Sequence, residues 1–220
     1  MIQVILATKN SGKIREIENL LKDSKFRILT FKDFKSWPEI EERGSSFAEN
    51  ALIKARDLVR FHGLPVLADD SGLEIEYLDG RPGVLSSRYA GYGATDEENI
   101  QKVLREMQGC PEDKKGARFR CVVVFLTPAV RCHVAQGICP GRITFNRRGK
   151  GGFGYDPIFI PDGFTRTMAE LTLAEKNEIS HRAKALRSLL KIVDLKNCSD
   201  HSKISGRIPY RASREQEEEQ

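Results

Sequence analysis

The sequence has no apolar run close to the roughly 20 residues that a membrane-spanning helix needs. Residues 1–7 lack the basic lead-in and the longer apolar core of a signal peptide, and they predict a first strand instead. The sequence has no C-x-x-C pair, and its five cysteines are odd in number, which favours free thiols over a disulfide scaffold or a zinc site. These absences argue against a secreted or membrane protein and predict a cytoplasmic one.

A strong excess of one charge is also missing. The net charge of +5 is a weak indication of nucleic-acid binding, so we expect no nucleic-acid partner. Hydrophobic residues make up 40% of the 220 residues, which is enough for one globular unit in up to two lobes. The polar residues 196–220 carry equal numbers of basic and acidic side chains. They predict a disordered extension to a domain over residues 1–195.

Strand and helix signals alternate over the first half of the chain, and later strands with turn-like breaks follow. Helix N-caps are predicted at Asn10 or Ser11, Ser46, Thr95, Thr172 and Ser180. The predicted strands cover residues 4–7, 26–31, 66–68, 118–126, 131–136, 141–145 and 157–160. This order indicates an α/β fold with a mixed sheet.

Residues 8–13 lie where the first strand ends and the first helix begins. Free amides at a helix N-terminus attract anions, and Lys9 and Lys13 add positive charge for a phosphate. The first glycine of a Walker motif is missing, so the segment is not a P-loop. Taken alone, the segment is better explained as an ordinary capped helix with solvated lysines.

Asp69-Asp70-Ser71-Gly72 follows the third predicted strand, and we expect a turn there. Neighbouring carboxylates on a strand point to opposite faces, so one could bind Mg²⁺ in a cleft while the other stabilises the turn. An Asx-type turn without a functional role is nearly as good an explanation. Three carboxylates before the second helix would offer the metal another ligand if the fold brings them near Asp70; they are Glu39, Glu41 and Glu42.

The segment Gly149-Lys150-Gly151-Gly152-Phe153-Gly154 matches the dinucleotide-binding pattern by letter only. That pattern must open a helix, whereas Pro157 follows here and leads into an extended run. A glycine loop carrying Phe153 suits a planar ligand instead, with the ring stacking on a base and Asp156 accepting from ring N–H groups. The alternative is a flexible hairpin loop.

Residues 176–182 are densely polar. In one unbroken helix, Lys176 and His181 would lie about 140° apart and would not grip one ligand. If Ser180 caps a fresh helix, both residues converge, and Arg182 presents its guanidinium in the first turn. For this segment alone, a polar helix face is the simpler explanation.

In their order along the chain, these segments resemble one family closely. They read ATKNSGK, SFAENALIKA, ADDSG, PGVLSSRYAG, ARFRCVVVF, GGFGYDPIF and AELTLAEKNEISHR, and the likeness runs from Met1 to about Leu195. They resemble the Ham1-like inosine/xanthosine triphosphate pyrophosphatases, in their bacterial form. The resemblance implies an elongated α/β fold of two lobes with a mixed sheet, flanking helices and an active-site cleft between the lobes. It also implies a homodimer.

The activity implied is Mg²⁺-dependent hydrolysis of ITP, dITP and XTP to the monophosphate and pyrophosphate. By position, Asp70 would be the catalytic base and a metal ligand, and Glu41 is the preferred second ligand among Glu39, Glu41 and Glu42. The substrate would be held by Thr8, Lys9, Asn10, Ser11, Gly12, Lys13, Ser71, Phe153, Gly154, Tyr155, Asp156, Lys176, His181 and Arg182. Lys9 departs from the glycine frequent in the family. A Maf-like pyrophosphatase acting on other nucleotides and a non-catalytic nucleotide-binding module remain alternatives.

Overall fold

The computed structural model describes residues 1–197, so residues 198–220 of the predicted extension lie outside the described part. In this described part, six strands form one sheet: β1 (Ile2–Leu6), β2 (Phe26–Leu29), β3 (Val66–Ile75), β4 (Gly116–Leu126), β5 (Cys132–Ile143) and β6 (Phe159–Pro161). Within the same residues, five α-helices accompany the sheet: α1 (Ser11–Leu21), α2 (Phe47–His62), α3 (Asp96–Glu106), α4 (Leu173–Ile179) and α5 (His181–Asn197). None of these helices is long and apolar enough to cross a membrane.

The strand order in the sheet is β2-β1-β3-β4-β5-β6. The pairs β2–β1 and β1–β3 are parallel, and the remaining pairs are antiparallel. The sheet is therefore mixed and helices flank it, as the sequence predicts.

Two lobes share the long strands β3 and β4. At one end of the sheet, α1 and α5 cover one face around Leu67 and Cys121, and α2 covers the other face around Ala68 and Val124. At the other end, α3 and the start of β6 pack on the far halves of the same strands in a separate core. The predicted two-lobed α/β architecture is confirmed.

The turn predicted over residues 69–72 is wrong. Strand β3 continues through these residues to Ile75 and pairs with β4 along its whole length. Gly72 serves close packing rather than a turn, because a Cβ there would overlap Ser86 and the carbonyl of Gly83. Strand β1 pairs with β3 only at Val66 and Leu67, so the following residues lie beyond the end of β1.

The two strands predicted over residues 131–145 form one strand, β5. Glycines in it mark close approaches of backbone rather than turns. A Cβ at Gly137 would overlap the carbonyl of His181, and one at Gly141 would overlap that of Ile160. Before β6, residues 156–158 form a 3₁₀ turn instead of the predicted extended run.

The predicted helix caps are confirmed. Asn10 accepts from the Lys13 amide at 3.0 Å, and Thr95 and Thr172 form complete capping boxes. Ser180 separates α4 from α5 and accepts from the Ala183 amide. At Ser46 only half of the predicted box forms, because the Glu49 carboxylate accepts from Ser45 instead.

Candidate active site

A cleft of about 370 Å³ opens where β1 ends beside β3. Thirteen of the sixteen predicted site residues line it; Ser11, Gly12 and Glu41 do not. Segments far apart in the chain meet here: the start of α1, the middle of β3, the glycine loop and the α4–α5 junction. The fold therefore brings together the residues that the sequence motifs single out.

Asp70 lies on the α2 side of β3. Its Oδ1 lies 3.0 Å from Lys54 Nζ, and its Oδ2 accepts from Asn50 Nδ2 at 3.2 Å. Burial raises the pKa of Asp70 above its ordinary value, and Lys54 partly opposes this rise. The nearby charge of Glu42 also raises it. Asp70 is thus a desolvated carboxylate at the cleft surface, a suitable place for a general base.

Asp69 points to the opposite face of β3, as expected for its neighbour in a strand. Its Oδ2 lies 3.0 Å from Lys13 Nζ and accepts from Arg182 Nε at 3.2 Å. Burial opposes ionisation, but Lys13 and Arg182 outweigh it and hold the pKa of Asp69 well below its ordinary value. Asp69 is a fixed anion that connects Lys13 of α1 with Arg182 of α5.

Arg182 is buried and donates to several internal acceptors. Besides Asp69, its Nη1 pairs with Glu16, and its Nη2 donates to Ser71 Oγ at 2.9 Å. Burial lowers the pKa of this guanidinium, yet Asp69 and Glu16 raise it on balance, so Arg182 is charged. Arg182 lies at the cleft as predicted, and it is also part of the buried framework.

A second buried ion group joins Lys176 to two carboxylates. Lys176 Nζ lies 2.7 Å from Glu16 Oε1 and also pairs with Asp156. Burial raises the pKa of Asp156 above its ordinary value, and Lys176 opposes the rise. Burial would raise the pKa of Glu16 as well, but Arg182 and Lys176 lower it on balance. Glu16 thereby fixes two predicted substrate-binding cations at once.

The aromatic part of the cleft contains Phe153, His181 and Phe119. Lys176 Nζ lies 4.8 Å from the centroid of the Phe153 ring. Phe153 also contacts the start of α1, since a Cβ at Gly12 would overlap its ring. His181 stacks on Phe119 with 4.8 Å between ring centroids. Burial, followed by the charges of Arg182 and Lys176, holds the pKa of His181 well below its ordinary value, so the imidazole is neutral at pH 7.

The phosphate-binding segment ends at the N-terminus of α1. Helices α2, α3 and α4 each carry acidic residues in their first turn, whereas α1 carries none and has Lys13 there. First-turn amides have no carbonyl partner within the helix. Thr8, Lys9, Asn10 and Lys13 line the cleft beside this helix end. The arrangement suits an anionic group.

The carboxylate near Asp70 is Glu42 rather than Glu41. Glu42 Oε1 lies 3.3 Å from Lys54 Nζ, whereas the exposed Glu41 pairs with Arg43. Within the described residues, no group of three or more His, Cys, Asp or Glu side chains is arranged to hold a metal ion. Two oxygen donors still fit Mg²⁺, which keeps several waters and takes substrate phosphate oxygens as ligands. The residues present are therefore compatible with Mg²⁺ beside Asp70 and Glu42.

Asn50, Lys54 and Glu16 are charged or polar residues of the site that sequence reasoning missed. Asn50 and Lys54 are four residues apart on the buried face of α2. Polar side chains at that spacing among Ala51, Ala55 and Leu58 were the available signal, because buried polar groups require partners. Glu16 similarly lies beside Ile17 on the buried side of α1.

The sequence profile of the Ham1 family matches residues 4–192. This chain belongs to the Ham1 family. It is 48% identical to the dITP/XTP pyrophosphatase of Halalkalibacterium halodurans over 194 residues, which cover 88% of this chain and all of that relative. It is 45% identical to the dITP/XTP pyrophosphatase of Bacillus licheniformis, covering 88% of this chain and 99% of the relative.

Solved structures of Ham1 proteins share the fold. A Ham1 protein from Coxiella burnetii superposes with a TM-score of 0.79 at 45% identity, over 89% of this chain and 100% of that one. The Staphylococcus aureus Ham1 protein gives a TM-score of 0.77 at 34% identity, over 88% of this chain and 99% of that one. The cleft described above is therefore part of a Ham1 fold.

Proposed function

We propose that this protein hydrolyses non-standard purine nucleoside triphosphates (ITP, dITP and XTP) to the monophosphate and pyrophosphate. The observation that carries this proposal is the composition of the cleft at the end of β1. It combines a cationic helix start, a desolvated carboxylate and an aromatic, hydrogen-bonding pocket. The names of the full-length relatives, dITP/XTP pyrophosphatases, support the same reaction.

The phosphate chain is best accommodated at the start of α1. Lys9 and Lys13 provide positive charge, and the first-turn amides offer donors to phosphate oxygens. Lys13 is already held near the cleft by Asp69, at 3.0 Å between Nζ and Oδ2. The ion pair keeps the ammonium in place before a triphosphate enters, which reduces the entropy lost on binding.

Asp70 is the group that accepts a proton from the attacking water. The water oxygen forms a bond to the α-phosphorus, the bond from that phosphorus to the bridging oxygen breaks, and pyrophosphate leaves. Lys54 and Asn50 each contact one Asp70 oxygen and so fix the orientation of the carboxylate. Burial raises the pKa of Asp70 towards the working pH, which makes it a better base than an exposed aspartate.

We infer that Mg²⁺ is held by Asp70 and Glu42, in place of the Glu41 expected from the sequence. When bound, the ion supplies positive charge that stabilises the leaving pyrophosphate. Lys54 lies between the two carboxylates, 3.0 Å from Asp70 and 3.3 Å from Glu42. It keeps both oxygen donors in place and limits their mutual repulsion.

The base pocket selects by hydrogen bonding at position 6 of the purine. Hypoxanthine and xanthine carry a 6-oxo acceptor, which a donor from Arg182 or His181 satisfies. Adenine carries a 6-amino donor, which would leave that protein donor unpaired at a cost of about 1–3 kcal/mol. Phe153 provides a ring for stacking, and the charged neighbours Lys176 and Arg182 fix its position.

We also propose a cytoplasmic homodimer as the working form. Cys110, Cys121, Cys132 and Cys139 are free thiols, which suits a reducing compartment. Light scattering on the purified full chain tests the dimer directly. A monomer at micromolar concentration would contradict it.

A nucleotide panel tests the proposed function. Release of monophosphate and pyrophosphate is measured from ITP, dITP, XTP, GTP, ATP, CTP and UTP with Mg²⁺. We expect kcat/KM to be highest for ITP, dITP and XTP. Preference for a pyrimidine nucleotide favours the Maf-like alternative, and binding without turnover favours a nucleotide-binding module.

A further inference from the structure

The loop over residues 149–156 is held from two sides. At its root, the Gly151 amide donates to the carbonyl of Ala169 at 3.0 Å. Near its end, the Phe153 amide donates to the Asp156 carboxylate at 2.9 Å, and the Tyr155 hydroxyl donates to the carbonyl of Ser86 at 2.8 Å. Phe153 and Gly154 lie between these contacts and line the cleft.

An acidic residue from a different element holds this part of the loop. The Gly154 amide donates to Asp96 Oδ2 at 2.6 Å, and Asp96 is the first residue of α3. The two residues are 58 positions apart in the chain. A hydrogen bond to an ionised carboxylate is about twice as strong as a neutral one. Asp96 therefore connects α3 in one lobe to the loop that carries Phe153.

The neighbouring acidic residues of α3 have other partners. Glu97 pairs with Arg147, and Glu98 accepts from the Thr95 amide in the capping box. Of these three carboxylates only Asp96 lines the cleft. The first turn of α3 thus offers a direct comparison between a cleft-side and an outer carboxylate.

The position of Phe153 depends on the neighbour that Asp96 holds. Phe153 directly precedes Gly154, and its half-buried ring must fit against Gly12 on one side and the cations Lys176 and Arg182 on another. Gly154 has a positive φ of 59°, so the loop turns sharply at the residue that Asp96 holds. Release of this amide would remove the contact between the turn and α3, so the turn and the adjoining ring would be held only by the hydrogen bond from the Phe153 amide to Asp156 and by the packing of the ring.

We propose that Asp96 is a positioning residue for the base pocket: it holds the Gly154 amide so that Phe153 is placed to stack on the purine. The inference rests on the proposed function, because it assumes that Phe153 contacts the base. In this scheme Asp96 affects substrate binding and not the hydrolysis step. Its loss weakens binding of every purine nucleotide and leaves the proton transfer at Asp70 intact.

The first test measures the loop without any substrate. Hydrogen–deuterium exchange is followed at residues 149–156 in the wild type, Asp96→Ala, Asp96→Asn and the matched variant Glu97→Gln. We expect exchange at Gly154 to quicken about tenfold in Asp96→Ala and less in Asp96→Asn, which retains an acceptor oxygen. Glu97→Gln removes the same charge from the same helical turn and should leave Gly154 unchanged. Equal exchange in Asp96→Ala and the wild type would overturn the inference.

The second test measures kinetics with ITP and dITP. We expect KM to rise about tenfold for both substrates in Asp96→Ala, with kcat within about twofold of the wild type and partial recovery in Asp96→Asn. An equal rise in KM for Glu97→Gln would overturn the inference, because it would show a general charge effect. A rise for ITP alone would also overturn it, since Asp96 would then bind the ribose 2′-hydroxyl. A wild type that does not hydrolyse ITP would refute the proposed function, and the exchange experiment would still decide the loop contact.

Discussion

Lys54 and Asp70 form an ion pair with 3.0 Å between Nζ and Oδ1, and each side chain is only 8% exposed. Burial would lower the pKa of Lys54, yet Asp70 and Glu42 raise it above its ordinary value, so the ammonium remains charged. The pair joins the buried face of α2 to the middle of β3. Through this pair, Lys54 of the amphipathic helix α2 orients the carboxylate of Asp70, which we assign as the base, and lowers its pKa.

Removal of Lys54 should shift the pH dependence of turnover. Burial already raises the pKa of Asp70, and Lys54 is the largest influence that lowers it. In Lys54→Met the pKa of Asp70 rises further, so the base becomes protonated at a higher pH. The acidic limb of kcat/KM against pH should move to higher pH by about one unit or more. An acidic limb at the wild-type position would show that Asp70 does not control it.

Glu42 and Glu41 provide a matched pair for the metal site. Glu42 lies with Lys54 in the cleft, whereas Glu41 is exposed and pairs with Arg43. We expect Glu42→Gln to raise the Mg²⁺ concentration for half-maximal activity by about tenfold, as for loss of one metal-binding group. Glu41→Gln should leave the Mg²⁺ titration unchanged. The reverse result would restore the assignment made from the sequence.

Gly12 and Phe153 should act as one unit. A Cβ at Gly12 would overlap the Phe153 ring, so Gly12→Ala displaces the ring that we expect to stack on the base. Phe153→Ala should raise KM for ITP and XTP alike, from a loss of about 1–3 kcal/mol in stacking. Gly12→Ala should raise KM in the wild-type background and have little further effect in Phe153→Ala. Strict additivity in this double-mutant cycle would show that the two positions act separately.

Asp69 should stabilise the fold in a pH-dependent way. Asp69→Asn leaves Lys13 without its buried anion and Arg182 with Glu16 as its remaining one, at a cost of about 3–5 kcal/mol in the free energy of unfolding at pH 7. The folded pKa of Asp69 lies below its ordinary value, so its contribution is present above the unfolded pKa of about 3.9 and declines as the pH falls further. Urea unfolding at pH 7 and pH 3 measures the difference. A gap between variant and wild type that widens towards pH 3 would contradict this account.

Local signals predicted much of the fold. Caps at Asn10, Thr95, Thr172 and Ser180 use side chains within three residues of the amides that they accept from, so the sequence contains the whole interaction. Predictions failed where glycine meets a distant segment. Gly72 and Gly137 suggest turns locally, but they lie in continuous strands and allow close packing against Ser86 and His181. The identity of such partners is a tertiary property.

In the candidate site, too, local patterns could be read from the sequence, whereas contacts between distant segments could not. Residues such as Asp70 and Lys176 lie in unusual local patterns, but their roles were assigned from the resemblance of these segments, taken together, to the Ham1-like family. The ion pairs of Asp69 with Lys13 and Arg182 could not be derived from the sequence, because these residues meet only after α1, β3 and α5 have packed. The choice between Glu41 and Glu42 also depended on the loop that precedes α2. The Gly44 amide donates to Asn50 Oδ1 at 2.7 Å, and Asn50 in turn donates to Asp70, so this contact fixes the loop near Asp70.

Hydrolysis of ITP in ¹⁸O-labelled water by the wild type and by Asp70→Asn tests whether Asp70 activates a water for attack on the α-phosphorus. We expect the wild-type protein to release pyrophosphate and the label to enter the monophosphate, because water attacks the α-phosphorus. Asp70→Asn should remain folded by circular dichroism and lose at least about a hundredfold in kcat. Label in pyrophosphate or inorganic phosphate, or near-wild-type turnover by a folded Asp70→Asn protein, would contradict this expectation.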